Sequence, residues 1–399
     1  MNLTNMNRLI LYFVIALIIG ISCDEDEISP KQADKFIKYY GGIAADYGSD
    51  VRQLPDGGYF VVGTINIGDN TDVFTLVTDE YGNSRYDLQI FDGANLNDKV
   101  SRMQLLDDGG AVAIGTFQRT QTDNDIWLMR FNSRGDTVWT RKYGKSYGDD
   151  EGYNLIINKL KEIVAVGYSD SLTSTGIHDK QIWMHAVSLE GEDIFDSEKT
   201  PGIVPRDEVI NCILEVDDGY VIVGTVIPKN GSRKILFAKT TTWGNVKRIK
   251  VLTSESDDQG IMITQLSEEE FLILGTRTNV STNTSDIALL KIKVPLNENE
   301  QIQILEEKLL DDNQNETASC FIHRNNKVHI LGTSIESRTD TRKILLIITD
   351  NSGNNPQYYK YGLKNIALEG HGMDYTSDRG YVFTGSNLIL YKIKDTDEF

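Results

Sequence analysis

Seven acidic residues return along this chain at nearly constant spacing: Asp46, Asp98, Asp150, Asp207, Asp258, Glu316 and Glu369. Carboxylates set at one height around an axis form a ring able to hold a cation or a basic partner. The same carboxylates can instead accept backbone N–H bonds and fix a turn. A residue that returns in every structural unit serves the unit, which favours the second use. Other chemistry is thinly supported. His323 and His329 flank an "RNNK" turn, and two imidazoles alone make a poor metal site. Asp149 and Asp150 are an acid–base pair in type only, because nothing in the sequence positions them on a glycoside. There is no G-x-S-x-G, no H-E-x-x-H, no phosphate-binding glycine loop and no zinc-type cysteine pair. The sequence therefore assigns no catalytic residue, no metal and no cofactor, beyond a cation at the acidic ring.

The elements that would position these groups are legible from a repeat. "DGGYFVVGT" at Asp56–Thr64 returns as "DGGAVAIGT" at Asp108–Thr116 and "DDGYVIVGT" at Asp217–Thr225. The glycine closing each apolar run serves as an anchor: Gly63, Gly115, Gly167, Gly224, Gly275, Gly332 and Gly385, spaced 51 to 57 residues apart. After each anchor comes a polar stretch, then a second apolar run such as "DIWLMRF" (Asp125–Phe131) or "KILLIIT" (Lys343–Thr349). A glycine turn follows in most units, at Gly82, Gly135, Gly191, Gly244 and Gly353, and then a further strand such as "TVWTRKYG". Each unit reads as four short strands without a helix. A four-stranded sheet that is apolar on both faces needs neighbours on both sides, and seven arranged radially supply them. The expected fold is all-β: a seven-bladed β-propeller with four antiparallel strands per blade.

The ends of the repeat predict how the ring closes. "KFIKYYG" (Lys35–Gly41) has the character of an outermost strand, and the last unit stops one strand short, after "LILYKIK" (Leu388–Lys394). The N-terminal strand should complete blade seven and remove its exposed edge. Loops joining second to third strands and blade to blade lie on one face and are the long ones, as in Tyr168–Gln181 and Gly144–Gly152. Binding is expected on that face. On it the acids lie 17 positions before the anchor in the first five units and 16 before it in the last two. Cys212 and Cys320 hold equivalent innermost-strand positions in blades four and six, too far apart for a disulfide.

The N-terminus reads as a separate segment. Arg8 precedes an apolar run from Leu9 to Ile21, then Gly20 and Ser22 lead to Cys23 and "DEDE", Asp24–Glu27. This resembles a bacterial lipoprotein signal, with Gly20 where such motifs carry a larger aliphatic residue. The acidic run resembles the surface-export signal of Bacteroidota lipoproteins. The resemblance implies residues 1–22 as signal peptide, Cys23 as the lipidated residue and 23–33 as an acidic tether. Residues 34–399 then form the propeller. The repeats themselves, with their "DGGYxVVGT…DIWLxRxNxxGxxxWxxxYG" pattern, resemble kelch-like and other bacterial propeller repeats of such surface lipoproteins.

A net charge of −19 repels nucleic acid phosphates, so nucleic-acid binding is not expected. The expectation is a non-enzymatic, lipid-anchored protein on the outer-membrane surface. It would act as a binding or scaffold module for a protein partner or a glycan, as an accessory of an uptake or secretion assembly. The alternative is a glycan-active hydrolase or lyase on the same scaffold.

Overall fold

The structure is a computed structural model and describes residues 35–41, 46–91, 96–145, 148–172, 178–196, 206–363 and 366–394. The signal, Cys23 and the whole tether, residues 1–33, lie outside the described residues. Alternation of apolar runs with turn residues yields seven four-stranded antiparallel sheets, six of them running in chain order from an innermost to an outermost strand. Blade two is representative: Lys99–Leu105, Ala111–Thr120, Asp123–Phe131 and Thr137–Tyr143. Among the described residues there is no helix.

The closure is as the sequence predicts. Phe36–Tyr39 pairs antiparallel with Ile389–Ile393, with Phe36 opposite Lys392 and Tyr39 opposite Ile389. Blade seven is thus built from both ends of the chain, and its outer edge is covered by the N-terminal strand. The turn glycines also behave as expected. Gly82, Gly135, Gly191, Gly244 and Gly353 all have φ between 72° and 90°, the left-handed region that a Cβ disfavours.

The core is divided among the seams. The described residues form seven apolar clusters, each shared by two neighbouring blades. Phe60, Val62, Phe117, Trp127 and Phe131 join blades one and two, and Tyr59, Leu76, Val382 and Leu390 join blade one to blade seven. Each second strand is buried on both faces, which is why its sequence is a continuous apolar run rather than an alternating one.

The anchor glycine has a specific structural cause. Each innermost strand carries a one-residue bulge opposite it, between Gly48 and Asp50, Val100 and Arg102, Gly152 and Asn154, Ile210 and Cys212, Gly260 and Met262, Ala318 and Cys320, and Gly370 and Gly372. The bulge presses a carbonyl of the innermost strand against the anchor. A Cβ built on any of the seven anchors would lie 1.8–2.6 Å from that oxygen, well inside contact distance. Glycine recurs at the anchor because the bulge recurs beside it.

Candidate functional site

The bulges determine what faces the axis. Along a regular strand side chains alternate, so every second residue of the innermost strand points into the channel. The bulge inserts one extra residue and shifts that alternation. In blade two, Lys99 and Ser101 face the mouth, and Arg102, immediately after the bulge, faces the axis as well. The bulged residues of all seven blades, Ser49, Ser101, Tyr153, Asn211, Ile261, Ser319 and His371, line one axial cavity of about 710 Å³. It opens on the long-loop face, where Tyr47, Lys99 and Glu151 begin their strands and Gln259 lies near the start of its own.

Arg102 forms the floor. Its guanidinium crosses from blade two and donates to the carbonyls of Ser49 (3.2 Å), His371 (3.1 Å) and Ser319 (2.8 Å), in blades one, seven and six. Below it lies a second, more enclosed cavity of about 310 Å³, whose walls include Cys212, Met262, Cys320 and Phe321. Both cysteines carry free thiols there, and burial pushes each thiol up to about 11.

The mouth is polar and paired. Lys99 Nζ donates to Glu151 Oε2 at 2.7 Å, and the Tyr153 hydroxyl donates to the same oxygen at 2.8 Å. Lys180 Nζ lies 2.8 Å from the Tyr168 hydroxyl and 4.0 Å from the centre of its ring. Burial acts to raise Glu151, but Lys99 and Tyr153 outweigh it, and the carboxyl sits below its ordinary value. Burial, reinforced by the Glu151 charge, pushes the Tyr153 and Tyr168 phenols above theirs. Glu151 therefore remains an acceptor at neutral pH, and both tyrosines remain protonated. His371 stacks edge-on against Tyr47, with ring centres 5.4 Å apart. Lys99, Arg102, Lys180 and Arg233 line the cavity against one carboxylate, Glu151, and with Arg233 paired to Asp257 the walls still carry a cationic excess in a chain of net charge −19.

This corrects the acidic ring. None of the seven predicted carboxylates is among the residues lining the cavity. Strand alternation turns them away: Asp46, Asp98, Asp150 and Asp258 each precede a mouth residue by one and point the opposite way. Asp46, Asp98 and Asp150 are buried, and each accepts a hydrogen bond from the backbone N–H three residues after its anchor, from Asn66 (2.8 Å), Gln118 (2.9 Å) and Asp170 (2.9 Å). Asp258 instead accepts two hydrogen bonds from Arg277.

Register corrects the other members. The equivalent position lies two residues before the one paired with the anchor. In blade four that is Glu208, opposite Val226, not Asp207, whose carboxylate accepts from the Lys180 N–H. In blade seven it is Leu368, fully buried, not Glu369. Glu369 shares the register of the mouth residues and pairs with His371 and Arg342, which hold its carboxyl down to about 2. The count slipped in blade four because its first turn is shorter: Val216 already pairs with Gly219. Glu316 occupies the equivalent position in blade six, opposite Ser334.

The histidines separate. His329 Nδ1 meets the Tyr381 hydroxyl at 2.7 Å, whereas His323 Nε2 meets Asn351 Oδ1 at 2.9 Å. Sequence reasoning missed the mouth residues. The bulged residues stand 14 or 13 before each anchor and the strand-entry residues two before those, but both positions are chemically heterogeneous, and only a bulge brings the next residue, such as Arg102, inward as well.

No family model matches the chain, and no curated protein matches it. Among solved structures, YCF48 from Cyanidioschyzon merolae is 12% identical, with a TM-score of 0.52 over 90% of this chain and 98% of that one. A streptogramin B lyase is 12% identical (TM-score 0.48, 90% and 98% covered). The WD40 β-propeller domain of Doa1 is 9% identical (TM-score 0.47, 91% and 98% covered). Likeness at these identities extends to the propeller fold alone.

Proposed function

We propose that this protein is a non-enzymatic binding module whose axial mouth receives an anionic group, either a small acid or the acidic end of a partner. The observation that carries the reading is the cationic, pre-paired wall of the cavity. Lys99, Lys180 and Arg102 are held in place by Glu151, Tyr168 and three carbonyls. Such donors bind without reorganising. Catalysis is disfavoured by the same pairing. Glu151 is held ionised and cannot donate a proton, while Tyr153 and Tyr168 are held protonated and cannot take one.

The convergence of Glu151, Tyr153 and Tyr168 favours a second reading, a glycan-active enzyme. One experiment separates them. The purified protein is screened by thermal shift against small carboxylates and by reducing-end assay against a polysaccharide panel. Stabilisation by acids, lost in a Lys99→Ala/Lys180→Ala variant, supports binding. Glycan cleavage, lost in Glu151→Gln, overturns it.

We also propose display on the outer-membrane surface through Cys23, supported by the apolar run Leu9–Ile21 and the acidic Asp24–Glu27. The propeller would there serve as an accessory of an uptake or secretion assembly. Cys23→Ser should release a folded propeller. Neutral residues at 24–27 should leave it lipidated but shielded from protease added to intact cells.

A further inference from the structure

Blade six departs from the pattern of blades one, two, three and five. Glu316 is fully buried at the position where Asp46, Asp98 and Asp150 accept backbone N–H bonds and Asp258 accepts from Arg277. Neither oxygen of Glu316 meets an N–H donor, and the one side chain within hydrogen-bonding reach is the Asp312 carboxyl. The ladder of blade six runs on to Asn315 opposite Ile335, so the segment that caps the carboxylate in blades one to three is taken up in strand pairing.

What stands beside Glu316 are further acceptors. Asp286, in the third strand of blade five (Ser285–Lys293), and Asp311, just after the fourth (Gln303–Leu310), place carboxylate oxygens within 4.8 Å of its own and of each other. Asp312 is adjacent. Its Oδ2 is paired with Lys360 at 2.6 Å, and its buried Oδ1 meets no N–H donor. A lone buried carboxylate without a donor is costly, and neighbouring like charges add to the cost. A cation among these oxygens would offset both costs.

We propose that Asp286, Asp311 and Glu316 bind a calcium ion at the seam of blades five and six. The donor set is all oxygen, which suits a hard cation and not zinc, whose structural sites use nitrogen and sulfur. Oxygens about 2.3–2.6 Å from one calcium ion lie within about 5.2 Å of each other, as the three carboxylates do. Asp311 is exposed and leaves the outer hemisphere open to water, which completes the six to eight ligands calcium takes. The site is off the axis and distinct from the cationic mouth. It would tie the fourth strand of blade five to the first of blade six where two blades meet.

Calcium chloride titrated into the full chain after chelator treatment and dialysis tests this. In the wild type, calcium should release or take up measurable heat and raise the unfolding temperature, with magnesium at equal concentration doing less. Asp311→Asn, at the exposed edge, should weaken calcium binding at least about tenfold without disturbing the calcium-free fold. Glu316→Gln should abolish the calcium response and leave the calcium-free protein about as stable as wild type, because the amide fills the same space and can donate to the Asp312 carboxylate. A wild type that gives no response to calcium overturns the proposal. So does a calcium response that survives unchanged in Asp311→Asn.

Discussion

The upper and lower halves of the axial channel are built from the same seven strands, yet they differ in kind. The upper half is wide, open and cationic, with Lys99, Lys180 and Tyr153 on its walls. The lower half is narrower and holds Cys212, Met262, Cys320 and Phe321, together with the Asp50–Arg52 ion pair at 2.6 Å. The boundary is the bulge. Residues up to and including it line the upper half, and those after it line the lower, with Arg102 common to both. A propeller channel is thus divided by a backbone feature that repeats, while the side chains on either side are free to vary. Charged and hydroxyl side chains collect on the side that opens to the long loops.

The sharpest way to break the division is to remove a bulge. Gly115→Ala would set a Cβ 2.0 Å from the Lys99 carbonyl, against backbone that cannot move alone. The expected loss is roughly 3 kcal/mol or more, read from chemical denaturation. A loss under about 1 kcal/mol would show that the bulge is not what glycine accommodates. Next is the floor. Arg102→Ala strips three carbonyls of their donor and joins the two cavities. Roughly 2–3 kcal/mol should be lost. In the folded variant, Cys212 and Cys320 should react with a thiol reagent roughly tenfold faster, because access rather than acidity then limits them. Unchanged labelling would mean that Arg102 does not separate the halves.

These variants also mark what could be read from sequence. Blade number, strand order, the turn glycines and the closing strand are local or periodic properties, and each left a mark in residue type. Gly63 and its six counterparts announced a close approach without saying to what. The axial residues left no such mark. Ser101, Tyr153, Asn211 and His371 share a position and no chemistry, so no composition rule selects them. The acidic repeat misled for a related reason. Asp98 and Asp150 are conspicuous by type, but one step along a strand reverses the direction of a side chain. A count from the anchor cannot carry that precision when a turn shortens by one residue, as it does before Gly219.

Asp150 sharpens the comparison from behind the mouth. It is fully buried, and burial pushes its carboxyl up to about 6 despite the hydrogen bonds it accepts from Lys145 and Asp170. The folded chain therefore holds this proton more tightly than the unfolded chain. Its contribution to stability is present below about pH 4 and declines as the pH rises through about 6. Asp150→Asn cannot titrate. Its stability relative to wild type should improve by roughly 2 kcal/mol between pH 4 and pH 7. Denaturant unfolding at both pH values measures this, and parallel pH profiles for the two proteins would contradict it.

The smallest expected effect on stability carries the most functional information. Lys99 is 41% exposed at the mouth and Glu151 15%, so solvent screens much of their pair. Lys99→Ala should change unfolding free energy by less than about 1 kcal/mol. Its effect on the upper half is larger. One cation leaves the wall, so the mouth's net charge falls by one, and Glu151 is left with tyrosine hydroxyls as its close donors. An anionic ligand that binds the upper half should weaken roughly tenfold, and the loss should shrink as salt is raised, because the lost term is electrostatic. The conservative Lys99→Arg should restore most of the affinity. A variant that binds acids as wild type does, at low salt and high, would place recognition away from the axis, and the difference between the two halves would then be a matter of packing alone.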